Sequence, residues 1–191
     1  MYKRQIKSGG LVAFPTDTVY AVGAAMDNEA AIDKLFEVKQ RPKDNPVSVL
    51  VARDLDIHLV IDITAPNNQF MSRFVEEFWP GPLTIVMPRI LGRVPENITG
   101  GRLSVGVRQP DDPIARALID EVGVPLAAPS ANISGHPSPT TGQHVICLLY
   151  TSQVSRSSST AAAVLKSSRK SSIWNKRFRP EFRFRSFYLW L

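Results

Sequence analysis

Residues 124–140 read Val124-Pro125-Leu126-Ala127-Ala128-Pro129-Ser130-Ala131-Asn132-Ile133-Ser134-Gly135-His136-Pro137-Ser138-Pro139-Thr140. The first five residues are apolar and predict the end of a buried strand. The rest form a loop of short hydroxyl and amide side chains, in which Gly and Pro constrain the backbone. Such a loop at a strand end suits the oxygens of a phosphate. A plain polar turn is the alternative, but the loop's length, its prolines and the basic residues elsewhere favour the phosphate site.

Strands and helices alternate along the chain that leads to this loop. We predict strands at residues 11–14, 47–51, 83–87, 103–107 and 126–128. We predict helices from residue 27 or 28 to about 40, from about 66 to 78, and from 113 onward. Their expected caps are Asp27 or Asn28, then Thr64, then Asp111 or Asp112. This alternation predicts an α/β fold, a sheet with helices on its faces.

Each predicted helix has an apolar face at helical spacing. These faces comprise Ile32, Leu35, Phe36 and the stem of Lys39 in the first helix, Phe70, Phe74 and Phe78 in the second, and Ile114, Ala117 and Leu118 in the third. We expect these side chains to pack on the sheet.

Charge divides the 191-residue chain into two parts. Residues 1–146 carry 14 Lys and Arg against 16 Asp and Glu, a net charge of −2. Residues 147–191 carry nine Lys and Arg against a single Glu, a net charge of +8. The body is therefore not the cationic surface that nucleic-acid binding through many phosphates requires. We predict a folded domain over residues 1–146 and a separate tail over 147–191.

The tail is rich in Ser, Arg and aromatic residues and has no clear period. It is open to three interpretations: an RNA-binding or membrane-surface segment, a disordered extension, or a segment foreign to the ancestral domain. We favour the third.

Several other classes of protein are disfavoured. No apolar run reaches about 18 residues, so we expect no membrane span, and the N-terminus lacks the pattern of a signal peptide. The single cysteine, Cys147, excludes an internal disulfide and a cysteine-based metal site. His58 lies in an apolar run and is interpreted as structural, whereas His136 and His144 lack the nearby carboxylates of a metal site. We expect a cytoplasmic protein without a membrane contact.

Four segments carry the candidate chemistry: 14–20, 39–46, 104–110 and 130–140. The first, taken alone, is more typical of a strand-to-helix connection with a capping Thr or Asp than of a binding site. In the second, Lys39 and Arg41 either complement a helix dipole or grip a polyphosphate. In the third, Arg108 ends an apolar strand and points either into a cleft or to solvent. The chain has neither a P-loop nor a dinucleotide-binding glycine motif.

Five motifs in order resemble the YrdC-type domain of the threonylcarbamoyl-adenylate synthase family. They read Pro15-Thr16-Asp17-Thr18-Val19-Tyr20, Lys39-Gln40-Arg41-Pro42, Pro80-Gly81-Pro82-Leu83-Thr84, Val107-Arg108-Gln109-Pro110 and Ala128-Pro129-Ser130-Ala131-Asn132-Ile133-Ser134-Gly135. The resemblance covers about residues 5–146. It implies a twisted, open, mixed α/β sheet with a concave cavity. It also implies that L-threonine, bicarbonate and ATP become threonylcarbamoyl-AMP and pyrophosphate, before partner proteins move the threonylcarbamoyl group to tRNA.

The same resemblance assigns roles to residues of this chain. The ATP phosphates would be held by Lys39, Arg41 and Asn45, of which Lys39 and Arg41 are the catalytic candidates. The nucleotide site would be completed by Ser104, Ser130, Asn132 and Thr140, with Ser138 a weaker candidate. L-threonine would be held by Thr18 and Arg108. Mg²⁺ would be carried by ATP, and contact with tRNA or double-stranded RNA is a further expectation.

Two departures from the family pattern lead to further expectations. Ala21 stands where the family usually has glycine, so a positive φ there would strain the cleft. The family also continues with a strand that carries a Ser-Thr pair and an Arg, which we do not find after Cys147. We therefore expect reduced or absent activity.

Two alternatives stay open. One is a non-catalytic RNA-binding module that uses the basic tail. The other is the carbamoyl-adenylating domain of hydrogenase-maturation carbamoyltransferases. Those enzymes are longer chains with added zinc-binding and acylphosphatase parts, which we do not find in this sequence.

Overall fold

Eight short strands form a mixed sheet in the computed structural model, which describes residues 2–52, 54–64, 68–151, 163–164 and 187–190. They are β1 (Val12–Phe14), β2 (Ala21–Ala25), β3 (Val49–Leu50), β4 (Leu83–Pro88), β5 (Ser104–Arg108), β6 (Leu126–Ala127), β7 (Ala163–Val164) and β8 (Phe187–Trp190). Their order across the sheet is β7-β1-β2-β6-β3-β5-β4-β8.

The six inner strands mix both pairing directions. β3 and β5 pair in parallel, whereas the other inner neighbours pair antiparallel. β7 and β8 add in parallel to β1 and β4. The predicted α/β fold with a mixed sheet is confirmed.

The helices are α1 (Tyr2–Lys7), α2 (Glu29–Val38), α3 (Asn68–Phe78), α4 (Glu96–Thr99), α5 (Pro113–Val122) and α6 (Gly142–Thr151), with a 3-10 helix at Asp54–Leu59. Two predicted caps are confirmed. The Asn28 side chain accepts from the Ala31 N–H at 3.0 Å, and Asp112 accepts from the Ile114 and Ala115 N–H groups at 2.9 and 3.1 Å. These bonds fix where α2 and α5 begin.

Thr64 does not cap α3 as predicted. It lies four residues before the helix and donates its N–H and hydroxyl to Asp62, at 2.9 and 2.6 Å. Pro66, where we expected this helix to begin, lies outside the described residues. Phe74 of the predicted apolar face packs against the core, but Phe78 is exposed and only stacks on Phe74, with ring centroids 6.2 Å apart.

Helices cover both faces of the sheet. On one face, Ile32, Leu35 and Phe36 of α2 are buried in one cluster with Val49 and Val107, as their spacing predicted. Lys39 follows at the end of this helix, so packing of α2 determines where its side chain lies.

On the opposite face, α1 and α5 are buried against Leu50 and Leu126. The predicted inner face of α5 was wrong in part, because Ala117 is exposed and Ile114 is only half-buried. The buried positions are Ala115, Leu118, Ile119 and Val122. This stripe keeps the helical spacing but holds larger apolar side chains, so its burial is more favourable.

β2 was not predicted, because its sequence Ala-Val-Gly-Ala-Ala lacks the β-branched and aromatic residues that favour strands. Its small side chains instead allow close packing. A Cβ at Gly23 would lie 2.8 Å from Cε1 of Phe14, so only glycine leaves room for that ring. Ala21 pairs with Phe14 in extended backbone and does not have the positive φ that would have strained the cleft, since Gln40 is the only non-glycine residue with positive φ among those described.

The predicted domain boundary at residue 146 falls inside α6. Of the tail, the structure describes only the end of α6 and strands β7 and β8. The other expectations for residues 147–191 lie outside the described residues. No helix in the described parts of the chain is long and apolar enough to cross a membrane.

Candidate functional site

The polar loop of residues 128–140 lies along the segment that precedes and opens β2. Ala131 donates its N–H to the Tyr20 carbonyl at 2.8 Å, and Tyr20 donates to the Pro139 carbonyl at 2.9 Å. Val22 donates to the Pro129 carbonyl at 3.0 Å. These bonds bring two of the four predicted segments together, because they place the loop beside the turn that carries Thr18.

Lys39 joins the second predicted segment, residues 39–46, to this loop. Its side chain is 1% exposed, and its Nζ donates to the backbone carbonyls of Ser130 and Asn132. In return, the Ser134 N–H donates to the Lys39 carbonyl at 3.0 Å. The end of α2 and the loop are therefore linked in both directions. Lys39 binds backbone oxygens of the loop, a contact that its residue type alone does not indicate.

Burial lowers the pKa of the Lys39 amine to about 7, and the nearby Arg41 charge adds to the effect. An amine in either protonation state has two N–H groups for the two carbonyls, and the protonated form has a third. Because the unfolded chain binds this proton more tightly, the Lys39 contribution to the free energy of unfolding rises between about pH 7 and pH 10.5.

Arg41 and Asn45, which the resemblance assigned together to the ATP phosphates, are in contact with each other. The Arg41 guanidinium donates to the Asn45 carbonyl at 3.0 Å, to Asn45 Oδ1 at 2.8 Å and to the Pro46 carbonyl at 2.7 Å. Gln40, in the left-handed region with φ of 49°, turns the chain between Lys39 and Arg41. The tight turn places both cations on one short segment.

Arg108 gathers a second group of residues at the end of β5. It is 5% exposed, and its Nε donates to the Gly81 carbonyl at 3.0 Å. Its Nη1 donates to Thr18 Oγ1 at 2.9 Å, and its Nη2 pairs with Asp17 Oδ1. The structure thus brings the two predicted threonine ligands into contact. Asp17, which the sequence did not single out, completes the group; its position beside Thr18 was the available signal.

The polar side chains of the loop are placed differently from one another. Asn132 is buried, and its Nδ2 donates to the Ile133 and His136 carbonyls at 2.8 and 2.7 Å. Ser138 donates to Asn132 Oδ1 at 3.3 Å. Ser130 is half-buried, whereas Thr140 is exposed. The Asn132 amide therefore braces the loop from inside.

Ser104 stands apart from this arrangement. It begins β5 opposite Pro88, at the other end of the strand from Arg108. Pro88 and Leu103 line an open cleft of about 600 Å³, whose lining includes none of the predicted site residues. Sequence reasoning also passed over Ser134, whose buried hydroxyl has no hydrogen-bond partner among the described residues.

Comparison with known proteins identifies the family. The model of the Sua5/YciO/YrdC family, which carries the description Telomere recombination, matches residues 4–153. The chain belongs to the Sua5/YciO/YrdC family. This confirms the resemblance drawn from the five motifs, and it extends the matched region slightly beyond residues 5–146.

Members of the Sua5/YciO/YrdC family resemble the chain in sequence and structure. The chain is 44% identical over 140 residues to threonylcarbamoyl-AMP synthase of Bacillus subtilis, and the match covers 73% of this chain and 40% of the relative. It is 37% identical over 142 residues to the Vibrio vulnificus enzyme of the same name, and the match covers 74% of this chain and 75% of the relative. The crystal structure of P. abyssi Sua5 complexed with L-threonine matches with a TM-score of 0.76 and 40% identity. This match covers 85% of the present chain and 44% of the Sua5 chain. The chain thus spans less than half the length of the Bacillus and Pyrococcus relatives.

Proposed function

We propose that the chain forms threonylcarbamoyl-AMP and pyrophosphate from L-threonine, bicarbonate and ATP. The observation that carries the proposal is the pairing of Arg108 with Thr18 beside the loop that Lys39 binds. The names of the similar enzymes, and the L-threonine in the similar Sua5 crystal structure, support the same assignment.

The chemistry that we propose needs positioning and charge neutralisation. The ammonium group of threonine first gives up a proton to solvent. The amine nitrogen then bonds to the carbon of bicarbonate while a C–O bond of bicarbonate breaks, and this yields a carbamate and water. A carbamate oxygen then bonds to the α-phosphorus of ATP while the bond to the pyrophosphate oxygen breaks. Negative charge grows on the leaving pyrophosphate, so cations placed in advance lower the barrier.

We assign the groups of this chain to that reaction as follows. Arg108 and Thr18 hold L-threonine, with the guanidinium on the carboxylate. Lys39, Arg41 and Asn45 hold the phosphates. We propose Ser130, Asn132, Thr140 and Ser104 as the remaining nucleotide ligands, although Ser104 lies at the other end of β5 from Arg108. Ser138 is a weaker candidate for the same role.

Mg²⁺ enters with the ATP phosphates in this proposal. The described ranges hold no group of three or more His, Cys, Asp or Glu side chains that could bind a metal ion. We further propose that the reaction takes place in the cytoplasm, and that partner proteins pass the threonylcarbamoyl group to tRNA.

The test is formation of the mixed anhydride. The full chain is incubated with ATP, Mg²⁺, bicarbonate and L-threonine, and threonylcarbamoyl-AMP is sought by mass spectrometry, since slow turnover is expected. Pyrophosphate should form only when L-threonine is present. Adenylate formed instead from carbamoyl phosphate would replace this proposal with the carbamoyl-adenylating alternative. Absence of both products, together with absence of ATP binding, would refute it.

ATP affinity should fall as pH rises from 7 to 8.5. Only protonated Lys39 has a third N–H for a phosphate oxygen, and with a pKa of about 7 its protonated fraction drops on the order of tenfold over this range. Titration calorimetry at several pH values measures the effect. The Lys39→Arg variant should flatten the profile because a guanidinium stays charged. Identical pH profiles for the two proteins would show that the Lys39 charge is not used.

A further inference from the structure

The two carboxylate oxygens of Asp17 differ in their hydrogen bonds to the part of the chain that the structure describes. Its Oδ1 accepts from Arg108 Nη2 and from the Asp111 N–H at 3.2 Å. Within the described ranges, Oδ2 accepts no hydrogen bond. The Asp17 side chain is 16% exposed and the Arg108 side chain 7% exposed, so the pair is largely shielded from solvent. A free carboxylate oxygen in such a place is a strong acceptor for a cationic group.

An amino acid presents two opposite charges to this site. The proposed function places its carboxylate on Arg108, which leaves the ammonium group in need of a partner. A guanidinium has five N–H donors, and three of them go to Gly81, Thr18 and Asp17. Two donors are left for a substrate carboxylate. Asp17 can therefore stay in place when the substrate binds, because the Asp111 N–H also holds it.

We propose that Asp17 binds the ammonium group of the amino acid substrate through Oδ2. The site then selects α-amino acids over 2-hydroxy acids of the same shape. This inference rests on the proposed function, since it takes Arg108 as the carboxylate ligand.

The pKa of Asp111 responds to the negative charge of Asp17. Its pKa is raised, first by partial burial and then by the negative charge of Asp17. Asp112 raises it further, while Arg116 opposes the shift. A region whose carboxylates disfavour further negative charge is favourable to an incoming cation.

The opposite role would be a placeholder. Asp17 would then occupy the position on Arg108 where the substrate carboxylate binds, and it would leave that position when the substrate arrives. Removing its charge would strengthen binding of every carboxylate ligand, whereas loss of an ammonium partner weakens only ligands that carry an ammonium group. The two roles therefore differ in the sign of the effect.

The experiment compares L-threonine with 2,3-dihydroxybutyrate, which keeps the carboxylate and side-chain hydroxyl but has a hydroxyl in place of the ammonium. Binding of both is measured by titration calorimetry to the full chain. The variants are Asp17→Asn, which keeps the acceptor for Arg108, Asp17→Glu, which keeps the charge, and Asp27→Asn, an exposed control.

The wild-type chain should prefer L-threonine by about tenfold or more. Asp17→Asn should remove that preference and change dihydroxybutyrate affinity by less than about threefold, while Asp17→Glu and Asp27→Asn should keep the preference. An Asp17→Asn variant that retains the wild-type ratio, or that binds both ligands more tightly, overturns the inference alone. A wild-type chain that binds neither ligand overturns the proposed function and the inference with it.

Discussion

Replacing Lys39 with methionine should lower threonine-dependent pyrophosphate release by about 100-fold or more. Methionine keeps the length of the buried stem but removes the donor to the Ser130 and Asn132 carbonyls. Each buried carbonyl left without a partner costs about 1–3 kcal/mol. The loop then separates from the end of α2, and the phosphates lose both a cation and a fixed loop. Steady-state kinetics and ATP titration measure the loss.

Lys3→Met is the matched control for this substitution. Lys3 pairs with Glu121 at 3.2 Å, and the two side chains are 50% and 69% exposed, so the pair contributes little. Activity and the urea midpoint of this variant should stay near the wild-type values. A Lys39→Met chain that binds ATP normally would show that the loop holds its shape without the amine.

The sequence predicted those elements whose signals are local. α2 and α5 begin at polar caps and show the spacing of buried helices, and both lie where expected. β2 escaped prediction because its small residues are selected by packing against Phe14, which is a property of the assembled sheet. The inner face of α5 shifted for a similar reason, since several registers of one apolar helix satisfy the same spacing.

The candidate site divides in the same way. Residue types drew attention to Lys39, Arg41 and Arg108, because charged groups at element ends are visible in the sequence, and the family resemblance added Thr18. Their partners were not visible. Lys39 contacts backbone carbonyls, which every residue has, so no sequence pattern marks them. Asp17 meets Arg108 although β6 and β3 separate β2 from β5 in the sheet, so the turn between β1 and β2 makes a long-range contact between residues 91 positions apart.

Replacing Arg108 with lysine should raise the KM for L-threonine by about 100-fold. A lysine amine cannot reach the Gly81 carbonyl, Thr18 Oγ1 and Asp17 together and also present two donors to a carboxylate. ATP affinity should change by less than about threefold, because the Lys39 loop is held by separate bonds. Kinetics with L-threonine varied, and calorimetry with ATP alone, separate the two effects.

Arg89→Lys provides a buried control of the same kind. Arg89 is 7% exposed and donates to the Arg102 and Val94 carbonyls and to Glu96, at 3.0, 2.6 and 3.3 Å. It follows Pro88, which pairs with Ser104 at the far end of β5 from Arg108. Both variants should therefore lose a similar free energy of unfolding, about 1–3 kcal/mol, but only Arg108→Lys should lose L-threonine. If the two raised the KM for L-threonine equally, the Arg108 effect would be one of stability, and another group would have to hold the substrate carboxylate.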